Sequence, residues 1–320
     1  MTVSLALRNH ARIPSPTRER IQRLARSVGY RPDPVMVKLM HHLRTQREAR
    51  PAVTLAALVS PGRNSYNAAV LAGARESAAR LGYALDEFRV WPGAAARAQL
   101  RRVLRARGIE AVLICPLGLG TPEQARLLAW RDFSVVATSY TWMRPAFSRI
   151  VPDGFGNTLM ACARLAEIGF VRPGLVDSDA VDQKVRHHFV AAVEWHGRHR
   201  VKASVPTCVV RDATKADRIA AWLEQHRPDV ILTSHRELNA VCRAALAASR
   251  RKSLPLVCLG EGEEPDSPHV DQRPAAIGAT AVELLASMIQ RGERGVPADP
   301  ITVQITGRWH EAGLRRRLQP

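Results

Sequence analysis

Hydrophobic positions fall into two rhythms along this chain. From residue 53 onward, short apolar runs alternate with longer segments whose apolar side chains recur every three or four positions. The first run, Val53–Val59, is apolar almost throughout, as in a strand covered on both faces of a parallel sheet. Further strands are predicted near 84–90, 111–115, 133–138, 149–152, 172–176, 206–210, 229–233, 255–259 and 301–306. Helices are predicted near 65–81, 95–107, 122–130, 156–168, 182–198, 215–226, 236–249 and 275–291. Gly82 and Gly169 stand where two of these helices must stop. Such alternation implies βαβ units with right-handed crossovers, an α/β fold. Leu81-Gly82-Tyr83 and Ile168-Gly169-Phe170 close a helix in the same manner, which suits two similar lobes.

The first fifty residues keep only the helical rhythm. A helix is predicted over 2–8, ending at Asn9-His10, residues that tolerate a helix end better than its middle. A second covers 15–28, with Ser15 as N-cap, Pro16 in the first helical position and Gly29 as stop. Its apolar stripe is Ile21, Leu24, Ala25 and Val28. A third follows Tyr30-Arg31-Pro32-Asp33-Pro34, over 35–44. Eleven cationic against three anionic side chains leave this stretch at about +8, the footprint of a phosphate-binding surface.

The whole chain of 320 residues has a net charge of +18, so the other 270 residues share about +10 at lower density. A hydrophobic content of 46% supplies a packed α/β core. Cys115, Cys162, Cys208, Cys242 and Cys258 form no C-x-x-C pair and mostly sit in apolar runs, so buried free thiols in a reducing cytosol are expected. No apolar run reaches the roughly 18–20 residues of a membrane span, and no signal peptide precedes the first helix. Gly118-Leu119-Gly120 lacks the third glycine of a dinucleotide fingerprint. Phosphate loops, H-E-x-x-H and G-x-S-x-G are missing too, which argues against an enzyme and against any cofactor. His41-His42 and His187-His188 are adjacent pairs that would point to different faces of a helix and chelate poorly. Asp177, Asp179 and Asp182 read as caps of a helix at 182 rather than as cation ligands.

The stretch TVSLALRN, followed by SPTRERIQRLARSVGYRPDP, resembles the headpiece of the LacI/GalR transcription regulators. Ala72-Gly73-Ala74 running into Leu81-Gly82-Tyr83, Val151-Pro152-Asp153 before a helix ending in Gly169-Phe170, and Val270-Asp271-Gln272 through to Trp309 extend the resemblance over the chain. It implies a small all-α headpiece over 1–33, a hinge helix and linker over 34–50, and a two-lobed sensor resembling periplasmic binding proteins over 51–320. The family's first helix would lie upstream of Thr2, so the headpiece is expected to be incomplete at its N-terminus.

By this resemblance Met1, Ser4 and Leu5 face base edges, while Thr2, Asn9 and Thr17 touch phosphates. Tyr30 joins them, and Leu39 is the hinge leucine that wedges into the minor groove. Effector residues are expected at strand ends in the cleft between lobes: Asn64, Tyr66, Ser139, Tyr140, Asp153, Asp177, Arg186, His235, Glu261 and Gln272. Tyr66, Tyr140 or Trp142 would offer a sugar an aromatic face. The family's usual Asn-Asp pair and its aspartates here become Ser234-His235 and Gly260-Glu261, a departure in the ligand set. The implied function is a cytoplasmic, homodimeric repressor that binds a palindromic double-stranded operator and is switched by a small, sugar-like effector. Two other readings are a cytosolic small-molecule-binding protein without specific DNA binding, and an α/β enzyme using the cleft.

Overall fold

A computed structural model of the protein describes residues 6, 13–27, 53–62, 65–117, 122–142, 144–211, 216–249, 254–260, 267–311 and 313–314. Helix α1 (Ser15–Ser27) lies in the N-terminal stretch; Gln22 Nε2 donates to the Ala6 carbonyl at 2.9 Å, and Leu24 of the expected apolar stripe is exposed. The helices expected over 2–8 and 35–44 lie outside the described residues, Ala6 excepted.

Strands and helices then alternate. In order they are β1 (Val53–Val59), α2 (Ser65–Arg80), β2 (Tyr83–Arg89), α3 (Ala94–Ala106), β3 (Ala111–Ile114), α4 (Pro122–Ala125), β4 (Ser134–Ala137) and β5 (Ser148–Pro152). There follow α5 (Gly154–Ile168), β6 (Pro173–Ser178), α6 (Asp179–Lys184), α7 (His188–His196), β7 (Thr207–Val210), α8 (Ala216–His226), β8 (Val230–Thr233) and α9 (Glu237–Ala248). Last come β9 (Leu256–Cys258), β10 (His269–Asp271), α10 (Pro274–Arg291), β11 (Thr302–Ile305) and β12 (Arg308–His310).

Two compact units result. The first takes its described residues from Met1–Val151 and Pro274–Val303, the second from Pro152–Arg273 and Gln304–Pro320. One six-stranded sheet has the order β11-β5-β4-β3-β1-β2, the other β12-β10-β9-β8-β6-β7. Parallel register joins β1 to β2 and β3, β3 to β4, β6 to β7 and β8, and β8 to β9. This is the doubly covered α/β architecture that the alternation requires, and it is seen in both units.

Within the first unit, Val112, Ile114, Val135 and Phe147 fill the sheet's core, and α2 packs against α10 with their backbones touching. A Cβ at Gly73 would collide with the Ala275 carbonyl, and one at Gly278 with the Val70 carbonyl. In the second unit Leu175, Val230, Leu232, Val257 and Val270 form the sheet's core with Leu165 and Phe189 from the helices. Gly82 and Gly169 both adopt positive φ, 78° and 99°, and end α2 and α5 as expected.

Three elements differ from expectation. The helix expected over 122–130 stops at Ala125, because Trp130 turns inward: its Nε1 donates to the Ala125 carbonyl at 2.7 Å and its ring packs on Phe147. The single helix expected over 182–198 is two helices, α6 and α7, broken at Arg186 and His187, and a π-turn (Gly197–Val201) extends the second. Strands β10 and β12, three residues each, pair antiparallel and were not foreseen. All five cysteines are buried and free; burial pushes the Cys115, Cys162 and Cys242 thiols up to about 12. Among the described residues no helix is long and apolar enough to cross a membrane.

Candidate functional site

The second sheet dictates where polar groups gather. β6 lies between β7 and β8, so the chain leaves it in one direction and later returns on the other side. In parallel sheets such a reversal opens a crevice outside the carboxyl ends of the strands. Here those ends carry Asp177 and Ser178 of β6, Ser234 and His235 after β8, Gly260 after β9 and Gln272 after β10.

Asp177 is wholly buried. Its Oδ1 accepts the Ser178 N–H at 2.7 Å, while Oδ2 has no hydrogen-bond partner. Burial pushes this carboxyl up to about 6; the nearby Ser234 hydroxyl and the Ser178 N–H oppose the rise, Asp182 adds to it, and His187 counters. The Ser234 hydroxyl also meets His235 Nδ1 at 3.0 Å. The imidazole thus meets Ser234 while Asp177's hydrogen-bond partner is Ser178, so it does not bridge serine and aspartate as it does in a Ser-His-Asp triad. Burial holds the His235 imidazole below its ordinary value, with Glu237 opposing and Lys184 reinforcing, so it is a neutral donor and acceptor. The Thr233 hydroxyl donates to Asn239 Oδ1 at 2.6 Å and ties this strand end to α9. Gln272 Nε2 donates to the Leu259 carbonyl at 3.2 Å. A Cβ on Gly260 would stand 3.5 Å from the Ser234 carbonyl and 3.9 Å from Gln272 Nε2, so these loops are neighbours.

The junction of α6 and α7 completes the cluster. The Ser178 hydroxyl, rather than an aspartate, caps α6 by accepting the Val181 N–H at 3.3 Å. Asp179 and Asp182 lie in the first turn, where carboxylates favour the helix dipole. Asp182 Oδ2 meets His187 Nδ1 at 2.7 Å, and its Oδ1 is buried without a partner. Arg186 and His187 have φ of 59° and 62°, left-handed conformations costing a non-glycine residue roughly 1–2 kcal/mol each. That turn leaves Arg186 exposed and seats His188 against Gly154. Burial and Arg186 lower the His188 imidazole, while Asp153 opposes them. Asp153 caps α5, its Oδ1 accepting the Gly156 N–H at 2.9 Å. Of the expected effector residues, the second unit holds Asp177, His235 and Gln272 at its strand ends, Arg186 at the α6–α7 junction and Asp153 at the start of α5.

Tyr66 and Tyr140 belong to the first unit, half-buried after β1 and β4. The Arg149 guanidinium lies 5.8 Å from the Tyr140 ring centre. Beside it the Ser139 and Thr141 hydroxyls pair at 2.6 Å, and Asn67 Nδ2 donates to the Pro116 carbonyl at 3.1 Å. Trp142 is not an aromatic platform: it is buried edge-on to Trp130 at 5.5 Å, within the core. Thr17 lies half-buried in α1; Met1, Thr2, Ser4, Leu5, Asn9, Tyr30, Leu39, Asn64 and Glu261 lie outside the described residues.

Ser178, Lys184 and Asn239 were not foreseen. Asn239 had a legible signal, a polar side chain in line with Leu238, Cys242 and Leu246 on the buried face of α9. Ser178 and Lys184 had none beyond their neighbours.

Comparison with known proteins agrees with this fold. No curated protein sequence is significantly similar. Among solved structures, a transcription regulator like protein from Staphylococcus haemolyticus superposes with a TM-score of 0.61 at 14% identity, over 82% of this chain and 99% of that one. The transcriptional regulator CelR in complex with cellobiose gives 0.59 at 16%, over 98% and 95%. The Cra transcriptional dual regulator from Pseudomonas putida, in complex with fructose 1-phosphate, gives 0.58 at 17%, over 81% and 98%. These likenesses are of fold. Residues 52–256 match the family described as periplasmic binding proteins and sugar binding domain of LacI family, and the chain belongs to that family.

Proposed function

We propose that this protein is a DNA-binding transcription regulator, a repressor that holds a palindromic operator as a homodimer and is switched by a small, sugar-like effector. The observation that carries the effector half is the strand-end cluster of the second unit. There Ser234, His235 and Gln272 offer neutral donors and acceptors, Asp177 and Asp182 offer buried acceptors, and Arg186 offers a charge on a strained turn. Such a set matches hydroxyl groups, which both donate and accept. Cellobiose and fructose 1-phosphate in the related folds support this effector class.

The DNA half is supported by the charge of about +8 over the first fifty residues and by the helix Ser15–Ser27 within them. Residues 1–33 would form the headpiece, with Met1, Ser4 and Leu5 at base edges and Thr2, Asn9, Thr17 and Tyr30 beside the backbone. Residues 34–50 would form the hinge, with Leu39 as wedge. Effector and operator would then be linked reciprocally, each altering the affinity for the other by one factor.

The test is a titration of the full-length chain with duplex DNA from upstream of its own gene, beside a shuffled duplex, at physiological salt. A regulator prefers the upstream duplex by a factor of about 10³ or more. Equal, weak binding to both, abolished by salt, would leave a small-molecule-binding protein without specific DNA recognition.

A further inference from the structure

Positive charge is concentrated a second time in α3, far along the chain from the N-terminal fifty residues. Between Glu87 and Glu110 stand six arginines and no carboxylate. Leu100 and Leu104 bury one side of α3. At about 100° per residue, Arg102 and Arg105 then fall on the side away from these leucines while Arg101 flanks Leu104, and all three are exposed.

Their surroundings differ. Arg101 is held by the Leu127 and Arg126 carbonyls, the former at 2.8 Å, and Arg107 is paired with Asp86. Among the described residues the Arg102 and Arg105 side chains have no hydrogen-bond or ion-pair partner. A solvated helix face ordinarily mixes signs three and four residues apart. Here Arg101 with Arg105, and Arg102 with Arg105, set like charges at those spacings, each costing roughly 0.2–0.5 kcal/mol. The helix dipole accounts for Arg105 in the last turn but not for Arg102 before it. A polyanion would turn this repulsion into attraction.

We propose that the arginine face of α3 binds the phosphate backbone of duplex DNA, a sequence-independent contact made by the first unit in addition to the headpiece. The inference rests on the DNA-binding reading above and extends it to the sensor. Arginine suits the task because its planar fork meets two phosphate oxygens at once. One helical turn, roughly 5.4 Å, separates Arg101 from Arg105, so these exposed side chains can reach more than one phosphate. DNA is favoured over other polyanions because the same chain carries a second concentration of positive charge in its first fifty residues.

The experiment follows the salt dependence of DNA affinity for the full-length protein by fluorescence anisotropy, on the upstream duplex and on a shuffled one. The double variant Arg102→Gln/Arg105→Gln is compared with Arg198→Gln/Arg200→Gln, which removes two exposed charges from the second unit. The slope of log K against log salt is expected to become shallower by about 1.8 for the α3 variant, two phosphate contacts at roughly 0.9 each. It is expected to stay unchanged for the control. Because the Arg102 and Arg105 side chains make no hydrogen bond or ion pair with a described residue and repel like charges, the thermal transition of the α3 variant should be no lower than that of the wild type. A wild-type slope in the α3 variant, or an equal loss in the control, would overturn the proposal. Sequence preference is read from the two duplexes separately, so a protein without preference fails the regulator reading while the slope comparison on the shuffled duplex still decides the role of α3.

Discussion

In the first unit α2 and α10 lie against each other backbone to backbone, Gly73 on Ala275 and Val70 on Gly278, and Trp130, Trp142 and Phe147 fill the core beyond β4. In the second unit the ends of β6 and β8 and the adjoining α6–α7 junction hold two carboxylates with unpartnered buried oxygens, a neutral histidine, and two residues in left-handed conformations. Both units pack glycines closely and bury an unpartnered indole N–H, Trp142 in the first and Trp222 in the second, so the contrast lies in the buried carboxylates and left-handed residues. Strain and unsatisfied polar groups persist only where surrounding structure holds them, and they concentrate at sites that bind. On this reading the first unit's small residues serve stability, and the second unit's costly residues serve the ligand.

The largest expected effect tests the packed unit. Gly278→Val places side-chain atoms where the Val70 carbonyl stands, and backbone cannot swing aside as a side-chain tip can. A loss of about 3 kcal/mol or more is expected in urea denaturation. The matching change in the second unit, Gly260→Ala, meets atoms only at 3.5 and 3.9 Å, and should cost under about 0.5 kcal/mol. Equal losses would erase the contrast.

Next in size is Asp177→Asn. The Asp177 carboxyl is raised from 3.8 to about 6, so the folded protein holds its proton more tightly than the unfolded chain does. Its favourable contribution is complete below the unfolded value and is lost as pH rises through about 6. The asparagine variant should therefore match the wild type near pH 4 and gain stability between pH 4 and 6. Above that range it should be more stable by roughly 2–3 kcal/mol, at about 1.36 kcal/mol per unit. Denaturation midpoints across pH 4–8 check the sign. A variant less stable than the wild type at pH 8 would mean that the carboxylate is held by interactions stronger than its burial.

Arg186→Gly should bring the smallest change in stability, a gain of up to about 1 kcal/mol as the left-handed strain is relieved. It should at the same time weaken effector binding, because the exposed guanidinium is removed. A stability gain without any effect on binding would assign the turn a purely local role.

Much of this contrast could be read from sequence, and its sharpest parts could not. Continuous apolar runs located β1, β3 and β4, and Gly82 and Gly169 marked the ends of α2 and α5, because in these cases a single local cause decides the structure. The break between α6 and α7 was illegible, since left-handed backbone falls on Arg186 and His187 rather than on glycine or asparagine. Trp142 stood among polar residues and read as part of a binding loop; Trp130 and Phe147 claim it for the core. β10 and β12 are too short for a period of two to register, and only their cross-strand pairing defines them. Of the candidate site, Asp153, Arg186, His235 and Gln272 were named from the family resemblance. That Asp177 is buried, and that Ser234 stands beside both it and His235, depends on neighbours distant in sequence.

The most direct test of the central claim is a calorimetric titration of the full-length protein with cellobiose, glucose and fructose 1-phosphate, wild type beside His235→Ala and Gln272→Ala. Saturable binding of at least one sugar to the wild type is expected, weakened tenfold or more, about 1.4 kcal/mol, in each variant. Affinity unchanged in both variants would place the effector elsewhere and contradict the assignment of the second unit's strand ends.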